Sequence, residues 1–210
     1  MKKLLATIFG TALLFSTSAY SDVTMGVKVG HGDLEGTNKG YTAGSTTQAS
    51  LTKSKDSMFG AIFAEASLGD SGISAGVEYV PLEANITLDG SNSSTSATLD
   101  DYTTGYLMYM HEAGNANLYA KVGYSRADIG AINASQNTTI NSQDDSLDGV
   151  MVGVGLQTEE LQGGLNGRLE VTFTDFDDVS ATTTSNGSAS VKKTGDGELL
   201  TVTFGLSKTF

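Results

Sequence analysis

Eight stretches of alternating apolar and small-polar residues run along the chain, and the connectors between them alternate long and short. The stretches are Asp22–Gly32, Ser57–Leu68, Ile73–Val80, Asp101–His111, Leu118–Asp128, Leu147–Thr158, Leu165–Thr174 and Glu198–Phe210. After the second, fourth and sixth the connectors are tight: GDSG (69–72), EAGNAN (112–117) and EELQGG (159–164). After the first, third, fifth and seventh they are long and rich in Ser, Thr, Asn and Asp, as in GSNSSTSATLD (90–100) and SATTTSNGSAS (180–190). A β-sandwich has no reason to keep this rhythm. A barrel crossing a bilayer does, because successive strands run in opposite directions, with short turns on one side and long loops on the other. Each stretch is also near the roughly 9–11 residues a tilted strand needs to span the hydrocarbon. The expected fold is all-β: an eight-stranded antiparallel up-and-down transmembrane β-barrel, one domain over residues 22–210, with both ends of the mature chain on the same side.

The amino terminus fits such a destination. Met1, Lys2 and Lys3 open a short basic region, Leu4–Phe15 is apolar, and Ala19 and Ser21 fall at small-residue cleavage positions, so Met1–Ser21 reads as a secretory signal peptide. Removing Lys2 and Lys3 from the 12 basic residues leaves 10 against 24 acidic ones, a net charge of −14. Nucleic acid is not an expected partner, since phosphate contact needs a basic face. Cysteine is absent, which excludes thiol chemistry and a disulfide framework.

One alternating face reads Val23, Met25, Val27, Val29; Ile62, Ala64, Ala66, Leu68; Ile73, Ala75, Val77; Leu118, Ala120, Val122; Val150, Val152, Val154, Leu156; Leu165, Leu169, Val171; Leu200, Val202, Phe204, Leu206. It carries no charge, as a lipid-facing surface requires. Tyr79, Tyr102, Tyr124 and Phe173 fall at the outer ends of their strands, where an aromatic girdle is expected; for the fourth strand this takes Tyr102 as outward, although GYLMYM is apolar on both faces.

The opposite face holds glycine, small polar residues and Lys28, Glu65, Glu78, Lys121, Arg168 and Glu170. All six lie at similar depth, three basic and three acidic, and ionised groups in a narrow lumen must pair. They are expected to form an ion-pair layer that plugs the barrel. Glycines 26, 30, 76, 105, 123, 153, 155 and 205, on the same face, leave room for Tyr109, Tyr119, Met151 and the long charged side chains. Eight strands enclose only enough space for side chains to fill.

The closing LLTVTFGLSKTF (199–210) resembles the carboxy-terminal strand of bacterial outer-membrane proteins, and RLEVTFTDFD (168–177) resembles the penultimate strand of the small OmpA-like, OmpX-like and Opa-like barrels. The resemblance implies a bacterial outer-membrane location with both mature termini periplasmic. It also implies that Val202, Phe204, Leu206 and Phe210 form the sorting signal read by the barrel assembly machinery, with periplasmic chaperones as partners during biogenesis and outer-membrane lipids and lipopolysaccharide afterwards. Lys208 departs from the apolar residue usual at its place, and no cell-wall-binding domain is expected after the last strand.

Chemistry is sparse. His31, with outward parity near the outer rim, and His111, near the opposite rim, cannot share a site. The acidic groups Asp100–Asp101, Asp144–Asp145 with Asp148, and Asp175 with Asp177–Asp178 match no defined ion-binding spacing, so neither a metal nor another cofactor is expected. The expectation is a non-enzymatic barrel with a plugged lumen and four long surface loops, serving envelope integrity or surface interaction with an unknown surface ligand. A narrow porin-like solute channel is the alternative, and an envelope lipid hydrolase a third reading.

Overall fold

The computed structural model describes residues 22–43, 46–81, 84–90, 93–130, 133–134, 138–161, 163–185 and 190–210; the signal segment Met1–Ser21 lies outside them. Eight long strands form a ring: β1 (Val23–Lys39), β2 (Leu51–Ser67), β3 (Ile73–Val80), β4 (Ser93–Ala113), β5 (Ala116–Ile129), β6 (Ser146–Thr158), β7 (Leu165–Ser185) and β8 (Val191–Thr209). Each strand pairs antiparallel with the next, and β8 also pairs with β1 from Thr24–Thr209 to Lys39–Thr194, which closes the barrel. The Phe210 amide donates to the Val23 carbonyl at 2.8 Å, so even the last residue is held in the ladder. Each expected stretch lies in one of these strands to within one residue at its ends, in the expected order.

The short connectors are tight because of glycine. Gly72 (φ 72°), Gly114 (φ 68°) and Gly164 (φ 75°) take left-handed backbone in the three turns, a conformation that costs other residues about 1–2 kcal/mol. Gly72 is constrained twice, since a Cβ there would come within 2.8 Å of the Met110 carbonyl oxygen.

The long connectors depart from the loops expected. Much of their Ser/Thr-rich sequence continues as paired strand: β1 and β2 stay in register out to Asn38–Leu51, residues 93–99 of β4 pair with Ala84–Gly90, and β7 extends to Ser185 opposite β8 and the strand Thr138–Gln143. Threonine is a strand former, and each residue added to an existing ladder gains hydrogen bonds. The result is a β-crown on the end of the barrel opposite the short turns. On its outer surface Lys39 reaches Asp178 at 2.5 Å and Asp196 at 3.1 Å, and its hydrogen bond to Asp178, then that to Asp196, holds the ammonium above its usual pKa.

The apolar face points outward as expected, from Val29 and Val154, each 61% exposed, to Phe204 at 54%. Tyr124 and Phe173 are on it near the crown, and Tyr79 shares its parity with its hydroxyl donating to Asp101 Oδ1. Strand β4 corrects the expectation: Met108 is 2% exposed and Tyr109 54%, so Tyr102, Thr104, Tyr106 and Met108 point inward while Leu107 and Tyr109 point out. Gly105 is on the outside too, with no atom within 4 Å of where a Cβ would stand. Tyr102 therefore belongs to the interior and not to a girdle. Hydroxyl satisfaction decides the parity, because Tyr106 finds Glu65 and Tyr102 finds Ser125 and Thr174, all inside. A bulge between Asp100 and Thr103, with Asp101 at φ 53°, sets the register above it.

Inside the crown end lies an apolar cluster that single-strand parity did not reveal: Ala127, Leu147 and Phe176 are buried, with Leu34, Leu99, Tyr102, Ile129, Val179 and Leu199 around them. The Tyr102 and Phe176 rings meet edge to face at 6.3 Å.

Candidate functional site in the lumen

Five strands deliver the six charged residues to one level. Lys28 comes from β1, Glu65 from β2, Glu78 from β3, Lys121 from β5, and Arg168 and Glu170 from β7. Gly205 of β8 is the register partner of both Lys28 and Arg168, and lacking a side chain it lets both cross the lumen; a Cβ there would stand 3.0 Å from Lys28 Cγ.

The six resolve into two groups. Lys28 Nζ donates to Glu78 Oε2 at 2.6 Å and to Glu170 Oε1 at 2.7 Å, while Lys121 Nζ donates to Glu170 Oε2 at 3.0 Å and lies 3.7 Å from Glu78. Arg168 forks onto Glu65 through Nη1 at 2.7 Å and Nη2 at 2.6 Å, and its Nε donates to Gln157 Oε1 at 2.6 Å. Such bidentate pairing is the strongest protein ion-pair geometry. Lys28, Glu65, Lys121, Arg168 and Glu170 are each at most 5% exposed.

Two tyrosines join the groups. Tyr106 donates to Glu65 Oε1 at 2.7 Å and carries Lys121 Nζ 3.6 Å above its ring centroid; Tyr119 donates to Glu170 Oε2 at 3.0 Å and lies 5.7 Å from the Arg168 guanidinium. Phe63 lies under both Lys28 and Arg168, at 5.0 and 4.8 Å. Each ring lies against a glycine on the next strand: Tyr106 pairs with Gly76, Tyr119 with Gly155 and Phe63 with Gly26. At Gly76 a Cβ would meet the Tyr106 ring at 2.5 Å. Tyr106, Gln157 and Phe63 were missed by sequence reasoning; the signal was the inward glycine, which marks where a neighbouring ring lies flat, but it can be used only once the register is known.

Above the charges is a tier of hydroxyls, with Thr104 and Ser125 at 2.8 Å, Tyr102 and Ser125 at 3.0 Å, and Thr172 and Thr201 at 2.6 Å. Above these sits the apolar cluster. Below, a cavity of about 190 Å³ opens at the turn end and stops at Glu65 and Arg168. The lumen is thus filled in three tiers, apolar, hydroxyl and ionic. The buried charges are held by each other and by Tyr106, Tyr119 and Gln157, and three cations balance three carboxylates.

The other candidate residues do not converge. His31 is on the outer surface 3.9 Å from Asp56, and His111 is at the turn end of β4 opposite Leu118. Among the described residues no group of three or more His, Cys, Asp or Glu is arranged to hold a metal ion. The terminal residues Val202, Phe204 and Leu206 lie on the outer face, and Phe210, at the turn end, is 71% exposed.

No family model and no curated protein matches the sequence. Solved structures match along the whole barrel. The outer membrane protein AlkL, determined in lipid bilayers, aligns with a TM-score of 0.59 at 13% identity, covering 93% of this chain and 93% of its own. Neisserial surface protein A aligns with a TM-score of 0.54 at 10% identity, covering 90% of this chain and 99% of its own. At such low identity the likeness speaks for the fold alone. The chain has the fold of the small eight-stranded barrels of bacterial outer membranes.

Proposed function

We propose that this protein is a non-enzymatic outer-membrane barrel whose lumen is a structural plug and whose working surface is the β-crown. The observation that carries the reading is the side-chain filling of the lumen: a solute entering the 190 Å³ cavity meets the Arg168–Glu65 fork, and beyond it hydroxyls and an apolar cluster. A small-solute channel would need both ionic groups to part, leaving buried charges unpaired at several kcal/mol each. A hydrolase would need a base beside a nucleophile, and neither histidine has that setting. In the bacterial outer membrane the turn end and both termini face the periplasm and the crown faces outward. Tyr79, Tyr124 and Phe173 mark the outer interface, and Val202, Phe204, Leu206 and Phe210 serve the assembly machinery. The crown then contacts an external ligand or the lipopolysaccharide around it, because it alone is committed neither to lipid nor to lumen.

Liposome swelling with small sugars and amino acids tests the closed lumen, and shaving tests the crown. The refolded wild type is expected to give no swelling above empty liposomes, and a chain with its crown hairpins shortened is expected to insert normally but lose cell-surface binding. Swelling by the wild type, or undiminished binding by the shaved chain, contradicts the reading.

A further inference from the structure

The cavity at the turn end is built unlike the filled lumen above it. Its inner end is formed by Glu65, Gln157 and Arg168, each at most 9% exposed. Chemistry orients Gln157 there: Arg168 Nε is a donor, so the amide oxygen faces it, at 2.6 Å, and the amide nitrogen is left with no acceptor among the described residues. Arg168 spends one N–H from each of its nitrogens on Glu65 and Gln157 and keeps a further one on Nη1 and on Nη2. Buried donors in proteins are normally served, so the inner end of the cavity calls for an acceptor.

Charge and the side walls narrow what can supply it. Arg168 is already matched by Glu65, so an anion would find no uncommitted cation, and a cation would find only donors at the inner end. A neutral molecule is left. Thr24, Ser67, Ser74 and Thr209 line the cavity with hydroxyls, while Met108 and Met110 of β4 line it with thioether and methylene groups. Its volume of about 190 Å³ is the share of about six water molecules in the liquid, at about 30 Å³ each. Water serves the donors and hydroxyls but not the methionines. A molecule with hydroxyls along one edge and C–H groups along the other serves both, and it displaces water at little loss where it reproduces the water's hydrogen bonds. We propose that the turn-end cavity binds a small neutral polyol of about glycerol's size, its hydroxyl edge on Gln157, Arg168 and the serine and threonine wall, its carbon face on Met108 and Met110. The site uses the closed lumen only as its inner wall, and it rests on the proposed orientation for the compartment, the periplasm, that supplies the ligand.

Methyl NMR of the full mature chain, carbon-13 labelled at its methionine methyl groups and refolded into nanodiscs of dimyristoylphosphatidylcholine, tests it by titration with glycerol. The Met108 and Met110 signals are expected to move along a saturating curve, while that of Met58, exposed on the outer surface, drifts linearly with solvent composition. Met151, in the buried cluster, reports in every variant that the barrel is folded. Ser74→Leu fills the cavity without touching the charge layer and is expected to abolish the saturable shift. Gln157→Glu keeps an acceptor for Arg168 Nε but removes the amide donor, and is expected to raise the midpoint about tenfold. Ala75→Leu, the same bulk at outward parity on β3, is expected to leave the curve unchanged. A linear drift at Met108 and Met110 in the folded wild type, or saturation in folded Ser74→Leu equal to that in Ala75→Leu, overturns the site. The swelling assay reads the plug separately: swelling would contradict the closed lumen and leave the titration as it stands.

Discussion

Arg168 shows what a single residue does here. All three of its guanidinium nitrogens donate, to Glu65 and Gln157, and the side chain is buried. Replacing it with alanine leaves Glu65 buried with only the Tyr106 hydroxyl, and is expected to cost about 3–5 kcal/mol. Replacing both partners, as Arg168→Met with Glu65→Leu, removes the charge and its need together, so urea unfolding in lipid vesicles is expected to place the double variant well above the single one. Equal losses in both would mean that the pair is not coupled. Glycine acts at the same scale by absence: Gly76→Ala drives a methyl into the Tyr106 ring and is expected to cost about 1–3 kcal/mol through overpacking, read by the same unfolding assay.

At the scale of elements, pattern and parity diverge in what they reveal. Strands with one apolar face could be oriented from sequence, because lipid and lumen make opposite demands on alternate residues. Lys28, Glu65, Glu78, Lys121, Arg168 and Glu170 were legible as one layer for that reason. Strand β4 was not, since Tyr102, Tyr106, Met108, Leu107 and Tyr109 supply two apolar faces and the choice falls to hydroxyl partners on other strands. The crown was also illegible: Ser and Thr runs have loop composition, and only pairing with a neighbouring strand, as across β7 and β8 or β1 and β2, turns them into ladder. The corrected parity is testable with single-cysteine variants in vesicles containing a lipid-borne nitroxide. A fluorophore on Tyr109→Cys is expected to be quenched and one on Met108→Cys to be protected, and the reverse pattern would restore the other register. For the lipid face, Phe204→Arg at the middle of β8 is expected to cost about 2–4 kcal/mol in vesicles, whereas a residue on a soluble surface would tolerate it.

For the whole molecule, the net charge of −14 expected of the mature chain coexists with a neutral interior, and the two are separable in function. The acidic excess sits outside the charge layer, while that layer balances three cations with three carboxylates. Closure of β8 onto β1 joins the first and last strands of the ring. On the proposed reading a barrel arranged this way supports its crown and is not a conduit. Single-channel recording across planar bilayers tests that most directly. The wild type, inserted and verified as folded, is expected to produce no reproducible conductance steps at any moderate voltage, whereas Lys28→Ala combined with Glu170→Ala, which clears the centre of the layer, is expected to allow brief openings. Steady, uniform conductance steps from the wild type would contradict the account.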